Sequence, residues 1–430
     1  MENGKKEIRM NRTGMVIALL TFLSLNVFGY THNTRFVSIY ELIIQKNFFK
    51  AKDLYDLERK DLSETHRELI EIFLNNAFNK PEESNNQIIQ LSKSDAGLPD
   101  SILLELCKIR EDNSIKLFNY REAKNALADI LTYHADMLSE RERKEIENSL
   151  RIWKALENEA KQETIKKGDV YLKIENDKIG LNNLRVSNGT DSLYFIFDTG
   201  ANLSMVSRST ADKFSMKIIP TDIEIGTITG EKISGEIAVC PVLILGKIEI
   251  LNAVFLVIDD SSLTFPQIDY QINGILGFPV IESLREIQIT RNGYFIVPEE
   301  ETRIAFPPNM AMDGLTPLIN INQRHFVFDT GADNTILYHA YYIENQKEID
   351  KYYKPEKVSF SGAAGNKEFD GYSITLDITI LDKKITLKDI KVLTEAIKDS
   401  KTIYGNIGQD LIKQFNKMTM NFERMFIKFD

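Results

Sequence analysis

Cysteine is nearly missing. The 430 residues include only Cys107 and Cys240, and these fall in segments of different character, so a disulfide framework is excluded as the source of stability. Histidine is equally sparse. His32, His66, His134, His325 and His339 stand apart with no HExxH or CxxC spacing, so nothing supports a histidine- or thiolate-built metal site, and no cofactor is expected. Positive charge is in deficit: 53 Lys and Arg face 63 Asp and Glu, a formal net charge of −10. That excess repels a phosphate backbone and argues against nucleic acid as a partner. Apolar material, by contrast, is ample. At 43% hydrophobic and 10% aromatic residues, the chain can pack cores and is neither disordered as a class nor a polytopic membrane protein. Its length suggests two or three domains at roughly 150 residues each.

Lys5, Lys6, Arg9 and Arg12 precede a mostly apolar run from Met15 to Val27. At about 13 residues the run fits the apolar core of a signal peptide and falls short of the ~20 that span a bilayer. Val27 and Gly29 are small enough to flank a cleavage site, and no cysteine follows to take a lipid. Residues 1–29 therefore read as a signal peptide, and the mature chain as secreted or periplasmic with no stable membrane span. An uncleaved anchor or a buried helix is the competing reading, and Met10 the alternative start.

Residues 30–166 read as an all-α region. Apolar side chains recur at three- and four-residue spacing, as in Leu69, Ile70, Ile72, Phe73 and Phe78, and the pattern continues from about Phe36 to Lys166. Ser139 with Glu142 reads as a capping box opening the last helix. Three segments echo one another around Asn47, Asn79 and Asn119. Their small residues Ala51, Ser84 and Ala123 are spaced 84 − 51 = 33 and 123 − 84 = 39. This loosely resembles the tetratricopeptide (TPR) helical hairpin, whose period is about 34; a plain helical bundle fits equally well. Such a region suits a protein partner.

After Lys167 the composition changes to alternating β-branched and aromatic residues with Asn-Gly and Gly turns, as in Leu184 to Phe197. This β region repeats itself. Phe197-Asp198-Thr199-Gly200-Ala201 recurs as Phe328-Asp329-Thr330-Gly331-Ala332, an offset of 329 − 198 = 131, and Gly274-Ile275-Leu276-Gly277 recurs as Gly405-Asn406-Ile407-Gly408 at 405 − 274 = 131. Two landmarks with one offset predict duplicated lobes over 167–298 and 299–430, joined at the Glu- and Pro-rich loop from Pro298 to Pro308. Each Asp-Thr-Gly ends an apolar strand, where its glycine forces a tight turn that presents the carboxylate. A pseudo-twofold axis between the lobes would bring Asp198 and Asp329 face to face.

From Gly168 to Asp430 this pattern resembles the aspartic peptidases, and the retroviral-like (retropepsin-like) branch more than pepsin. The residues that carry it are Asp198-Thr199-Gly200-Ala201, Asp329-Thr330-Gly331-Ala332-Asp333 and the elements ending in Gly277 and Gly408. The resemblance implies an all-β bilobal aspartic-protease fold behind the helical region. It implies an endopeptidase with a polypeptide substrate and a water activated by the Asp198 and Asp329 dyad, one proton being shared between the two carboxyls. By the same resemblance Thr199 and Thr330 lock the dyad by hydroxyl-to-backbone bonds, Gly200 and Gly331 offer carbonyls to substrate, and Ala201, Asn202, Ala332 and Asp333 line the substrate site. Two flap hairpins are implied, one with Thr229 and Gly230 at its tip and one with Gly362 and Ala363. With both halves in one chain, a monomer is expected. Alanines 201 and 332 cannot donate to the carboxylates as the Ser or Thr of pepsin-like relatives does, which implies a pH profile displaced toward mildly acidic or near-neutral values. Asn406 stands where the family has an apolar residue, and it reads as a small flaw in the second lobe's core that leaves the dyad untouched. Two other readings remain: a noncatalytic peptide-binding protein that uses the same cleft, and a helical scaffold with the β region as support.

Overall fold

The computed structural model describes residues 33–93, 97–226, 232–362, 365–381, 383–396 and 402–430. The signal-peptide reading of residues 1–29 lies outside them. None of the described helices is long and apolar enough to cross a membrane.

The chain is a helical region followed by a large β-rich region. Among the described residues seven α-helices come first: α1 (Thr34–Ile44), α2 (Phe48–Glu58), α3 (Glu64–Ala77), α4 (Pro81–Lys93), α5 (Asp100–Lys116), α6 (Tyr120–Tyr133) and α7 (Glu140–Leu156). Polar side chains open several of them. Asn33 Oδ1 accepts from the Arg35 and Phe36 N–H groups, Ser63 Oγ from His66, and Ser139 with Glu142 forms the full capping box.

The three echoes turn out to be one kind of turn. Lys46, Asn79 and Phe118 each adopt positive φ, at 63°, 54° and 54°. In each case the following N–H reaches back five residues: Asn47 to Leu42, Lys80 to Asn75 and Asn119 to Ser114. These are left-handed helix stops with the next helix starting at once, a job usually given to glycine and done here without it. Ala51, Ser84 and Ala123, five residues after each stop, are fully buried where helices cross.

Helix α5 is buried around much of its circumference, and its polar residues pair inside. Asp112 Oδ2 accepts from Asn76 Nδ2 at 2.5 Å and from Lys116 Nζ at 2.7 Å, while Asn113 Nδ2 donates to Ser84 Oγ at 2.9 Å. The helical run stops at Leu156, short of Lys166. Glu163–Lys166 is instead a strand, antiparallel to Ile248–Leu251. Four residues are too few for alternation to outweigh the helical pattern before them.

Among the described residues the β region forms two large sheets, nine-stranded and eight-stranded, a five-stranded sheet that joins the two halves of the sequence, and a two-stranded one. The large sheets repeat one local plan. In the first, Gly274–Leu276 runs parallel to Ser192–Phe197, with Leu276 beside Phe197. In the second, Ile403–Ile407 runs parallel to Arg324–Phe328, with Ile407 beside Phe328. The five-stranded sheet has the order Val170–Lys173, Tyr294–Val297, Glu286–Thr290, Lys417–Asn421, Phe426–Phe429. Three strands come from before the Pro298 loop and two from after it, so the halves share a sheet.

The helical region is seated on the β region at several points. Phe49 of α2 stacks on His325 with ring centroids 5.3 Å apart. Lys46 pairs with Asp313 at 2.9 Å, and Asn79 Nδ2 donates to the Phe422 carbonyl at 3.0 Å. Asn148 of α7 bonds the backbone of Glu224.

Candidate active site

Each Asp-Thr-Gly starts where its strand ends. The Asp198 N–H donates to the Leu276 carbonyl at 3.1 Å and the Asp329 N–H to Ile407 at 2.9 Å, so the neighbouring parallel strand fixes where each carboxyl emerges. The turn then closes on the side chain. Gly200 N–H donates to Asp198 Oδ1 at 2.8 Å, and Gly331 N–H to Asp329 Oδ1 at 2.8 Å.

The next residues lock the turns to the Gly277 and Gly408 elements. The Ala201 carbonyl accepts from Phe278 N–H at 2.9 Å, and the Ala332 carbonyl from Gln409 N–H at 2.8 Å. Ser204 Oγ accepts from Gly277 N–H and Thr335 Oγ1 from Gly408 N–H, at 3.0 and 3.2 Å. A Cβ at Gly277 would sit 2.5 Å from backbone atoms of Leu203, and one at Gly408 2.7 Å from Asn334, which is why both positions are glycine. Ser204 and Thr335 escaped the sequence reading, although they obey the same offset and share a hydroxyl.

The two turns meet across the interface. Thr199 Oγ1 donates to the Phe328 carbonyl at 2.7 Å and accepts from Thr330 N–H at 3.0 Å; Thr330 Oγ1 donates to the Phe197 carbonyl at 2.9 Å and accepts from Thr199 N–H at 3.0 Å. Both threonines are buried. Each carboxylate lies against the other turn's glycine. A Cβ on Gly200 would stand 2.7–2.8 Å from the Asp329 carboxyl atoms, and one on Gly331 would collide with Asp198 more closely still. The two half-buried carboxyls therefore face each other on a floor that tolerates no side chain.

Burial first, then the Asp329 charge and a hydrogen bond to its carboxyl, hold Asp198 well above the ordinary carboxylate range; the Gly200 and Ala201 N–H groups pull the other way. The pair departs from twofold symmetry at one atom. Asn406 Nδ2 donates to Asp329 Oδ2 at 2.7 Å, while the equivalent position beside Asp198 is Ile275. Asn406 is thus no mere flaw in the core, because its side chain reaches the dyad. Gln409 adds a second polar departure, donating through Nε2 to the Thr330 carbonyl at 2.9 Å where the first half has Phe278.

The remaining sequence candidates fall in several places. Asn202 Oδ1 accepts from Thr316 at 3.1 Å, and Asp333 pairs with Lys413 at 2.8 Å. Lys217–Gly226 and Lys232–Leu245 form one antiparallel hairpin, but Thr229 and Gly230 lie outside the described residues. Pro355–Gly362 and Gly365–Ile380 form the other; Gly362 faces Gly365 in its last rung, and Ala363 lies outside the described residues.

No curated protein matches the chain. Among solved structures it is similar to conglutin gamma, a basic 7S globulin from lupine seeds, at 12% identity over 62% of this chain and 95% of that one, with a TM-score of 0.38. Residues 183–280, which contain the first Asp-Thr-Gly and the Gly277 element, match the family model described as aspartyl protease, and the chain accordingly carries an aspartyl protease-like domain.

Proposed function

We propose that this protein is an aspartic endopeptidase that hydrolyses peptide bonds with a water held between Asp198 and Asp329. The observation that carries the reading is the reciprocal threonine lock, whose four hydrogen bonds span the interface and set two carboxyls against each other's glycines. Such a lock serves two carboxyls that share one proton, since they must be held adjacent by a rigid frame.

The chemistry follows from one shared proton. The ionised carboxylate takes a proton from the water as its oxygen attacks the scissile carbonyl carbon, and the protonated partner gives its proton to the carbonyl oxygen. When the tetrahedral species collapses, the carbon–nitrogen bond breaks, the nitrogen leaves with the proton taken from water, and the carbonyl oxygen returns the other. No covalent intermediate or cofactor enters. Thr199, Gly200, Thr330 and Gly331 frame the dyad in this reading. Ala201, Asn202, Ala332 and Asp333 border the substrate, and the two hairpins act as flaps.

The two half-sites in one chain favour a bilobal, retropepsin-like enzyme acting as a monomer, and the basic and apolar N-terminal segment favours export. The helical region, in TPR-like hairpins, would recruit or regulate a protein partner. The deciding experiment offers an unfolded general protein substrate to the purified protein, with Asp198→Asn and Asp329→Asn as controls. Cleavage by the wild type and loss in each single variant is the expected result, because the dyad works as one unit. Tight peptide binding without turnover in the wild type would make the chain a peptide-binding protein instead, and full partner affinity in the helical region alone would make it a scaffold.

A further inference from the structure

We propose that Asn406 makes the two carboxylates unequal, holding Asp329 as the ionised base toward water and leaving the shared proton on Asp198. This assignment of roles rests on the peptidase reading above and goes beyond it.

The glycine and threonine contacts at the two Asp-Thr-Gly turns come as matched pairs, and the unmatched Gln409 bond ends on the Thr330 carbonyl and not on a carboxyl. The glycine N–H bonds to the inner oxygens are equal at 2.8 Å, and the threonine bonds are reciprocal. Neither set can choose between the two aspartates. The outer oxygens differ. Asp329 Oδ2 receives the Asn406 amide at 2.7 Å, whereas Ile275, at the same place in the repeat, has no hydrogen to give. A side-chain N–H that can only donate favours the charged form of the carboxyl it reaches. Asn406 is 3% exposed and its carbonyl oxygen finds no partner, so a polar residue is kept here at a cost to the core. A donor aimed at the dyad accounts for it.

The surroundings leave few rivals. Asn406 lies beside Val327 on one strand and Ile336 on the other, both apolar. Asp329 acts on Asp198 and on the buried Tyr338 phenol, which burial and then the Asp329 charge push up and thus keep neutral. His325 stacks on Phe49, Asp333 pairs with Lys413, and Asp410 accepts from Thr335.

The consequence is a one-sided effect on pH dependence. Asn406 stabilises the singly protonated pair relative to the doubly protonated one, and it acts equally on the singly protonated and fully ionised forms because Asp329 is charged in both. Removing the donor should therefore move only the acidic limb of the rate profile, upward by about one to two pH units.

The test uses the wild type, Asn406→Ile, and the swap Asn406→Ile with Ile275→Asn. Two readouts are taken: the pH profile of kcat/KM, and titration of the Asp198 and Asp329 carboxyl carbons by 13C NMR. In the wild type Asp329 should ionise at lower pH than Asp198; the reverse order overturns the proposal without need of any variant. In folded Asn406→Ile the acidic limb and the Asp329 transition should both rise, and in the swap the low transition should pass to Asp198. An acidic limb and an Asp329 transition that stay in place in Asn406→Ile overturn the proposal. The carboxyl titrations do not depend on turnover. If no peptide is cut yet the low transition changes carboxyl in the swap, the role of Asn406 stands and the peptidase reading falls.

Discussion

Asn148 grips both backbone groups of one residue, Glu224. Its Nδ2 donates to the Glu224 carbonyl at 2.8 Å and its Oδ1 accepts the Glu224 N–H at 2.8 Å. Lys217–Gly226 is the outermost strand of its sheet, so this helical side chain supplies the pairing that a further strand would give. The hairpin proposed as the first flap is thereby tied to the helical region two rungs from its last described pair, Gly226 with Lys232.

Replacing Asn148 with Leu should free that end of the hairpin. Two neutral hydrogen bonds are lost, together about 1–2 kcal/mol, so amide exchange at Glu224 should quicken roughly tenfold with the global melting temperature little changed. KM should move more than kcat if the hairpin covers substrate. Hydrogen exchange measured residue by residue decides it, and unchanged protection at Glu224 would show that the hairpin is held elsewhere.

Thr199→Val and Thr330→Val should each destabilise the protein by about 2–4 kcal/mol, because each leaves a buried carbonyl and a buried N–H unpaired. Thr→Ser at the same positions should retain most of the stability and activity. The four bonds form one ring, so the double valine variant should lose less than the sum of the single ones. Denaturant melts of the set would test this; full additivity would mean that the threonines act independently.

His325 should make the seating of the helical region sensitive to acid. Burial lowers its imidazole from the ordinary 6.5 to about 4, both ring nitrogens lack partners, and the ring lies flat on Phe49. The neutral form is therefore the one that fits. Its contribution is complete above about pH 6.5 and is lost as pH falls toward 4, by roughly 3 kcal/mol at most. His325→Phe keeps the stack and cannot titrate, so the acid-dependent part of the unfolding midpoint should shrink in that variant. Equal loss of stability between pH 6.5 and 4 in both proteins would assign the effect to other groups.

Specific activity should not depend on enzyme concentration, since strands from both halves already share the five-stranded sheet. Activity that collapses on dilution, with sedimentation showing dissociation, would mean that a second chain completes the site.

The repeat was readable because close approach of backbones leaves few residues that fit. Gly277 and Gly408 must be glycine where they touch Leu203 and Asn334, and the aspartates must precede a tight turn, so spacing alone carried the duplication. The helix stops at Lys46, Asn79 and Phe118 left a trace for the same reason, as echoes around the buried Ala51, Ser84 and Ala123. Side-chain reach left none. Asn406 is visible as a polar residue in an apolar motif, but which way an amide points depends on strands nearly eighty residues apart in sequence. Asn148 and His325 meet partners in other parts of the fold, and no local pattern marks them. The strand Glu163–Lys166 was lost in the helical pattern because its partner at Ile248–Leu251 is what makes it a strand.

The shared five-stranded sheet also sets an order of events during synthesis. Its central pairing joins Glu286–Thr290 to Lys417–Asn421, which are translated far apart in time. A growing chain can fold its helices and its first sheet early, yet Thr199 lacks its partner until Thr330 is made, and the first-half edge of the shared sheet waits open until residues 417–429 emerge. A chain that stops short of these residues is therefore held unassembled, with Glu286–Thr290 lacking its partner strand. The second-half strands act as the latch that joins the two halves, so the paired Asp-Thr-Gly turns are a product of late assembly and not of the first half alone.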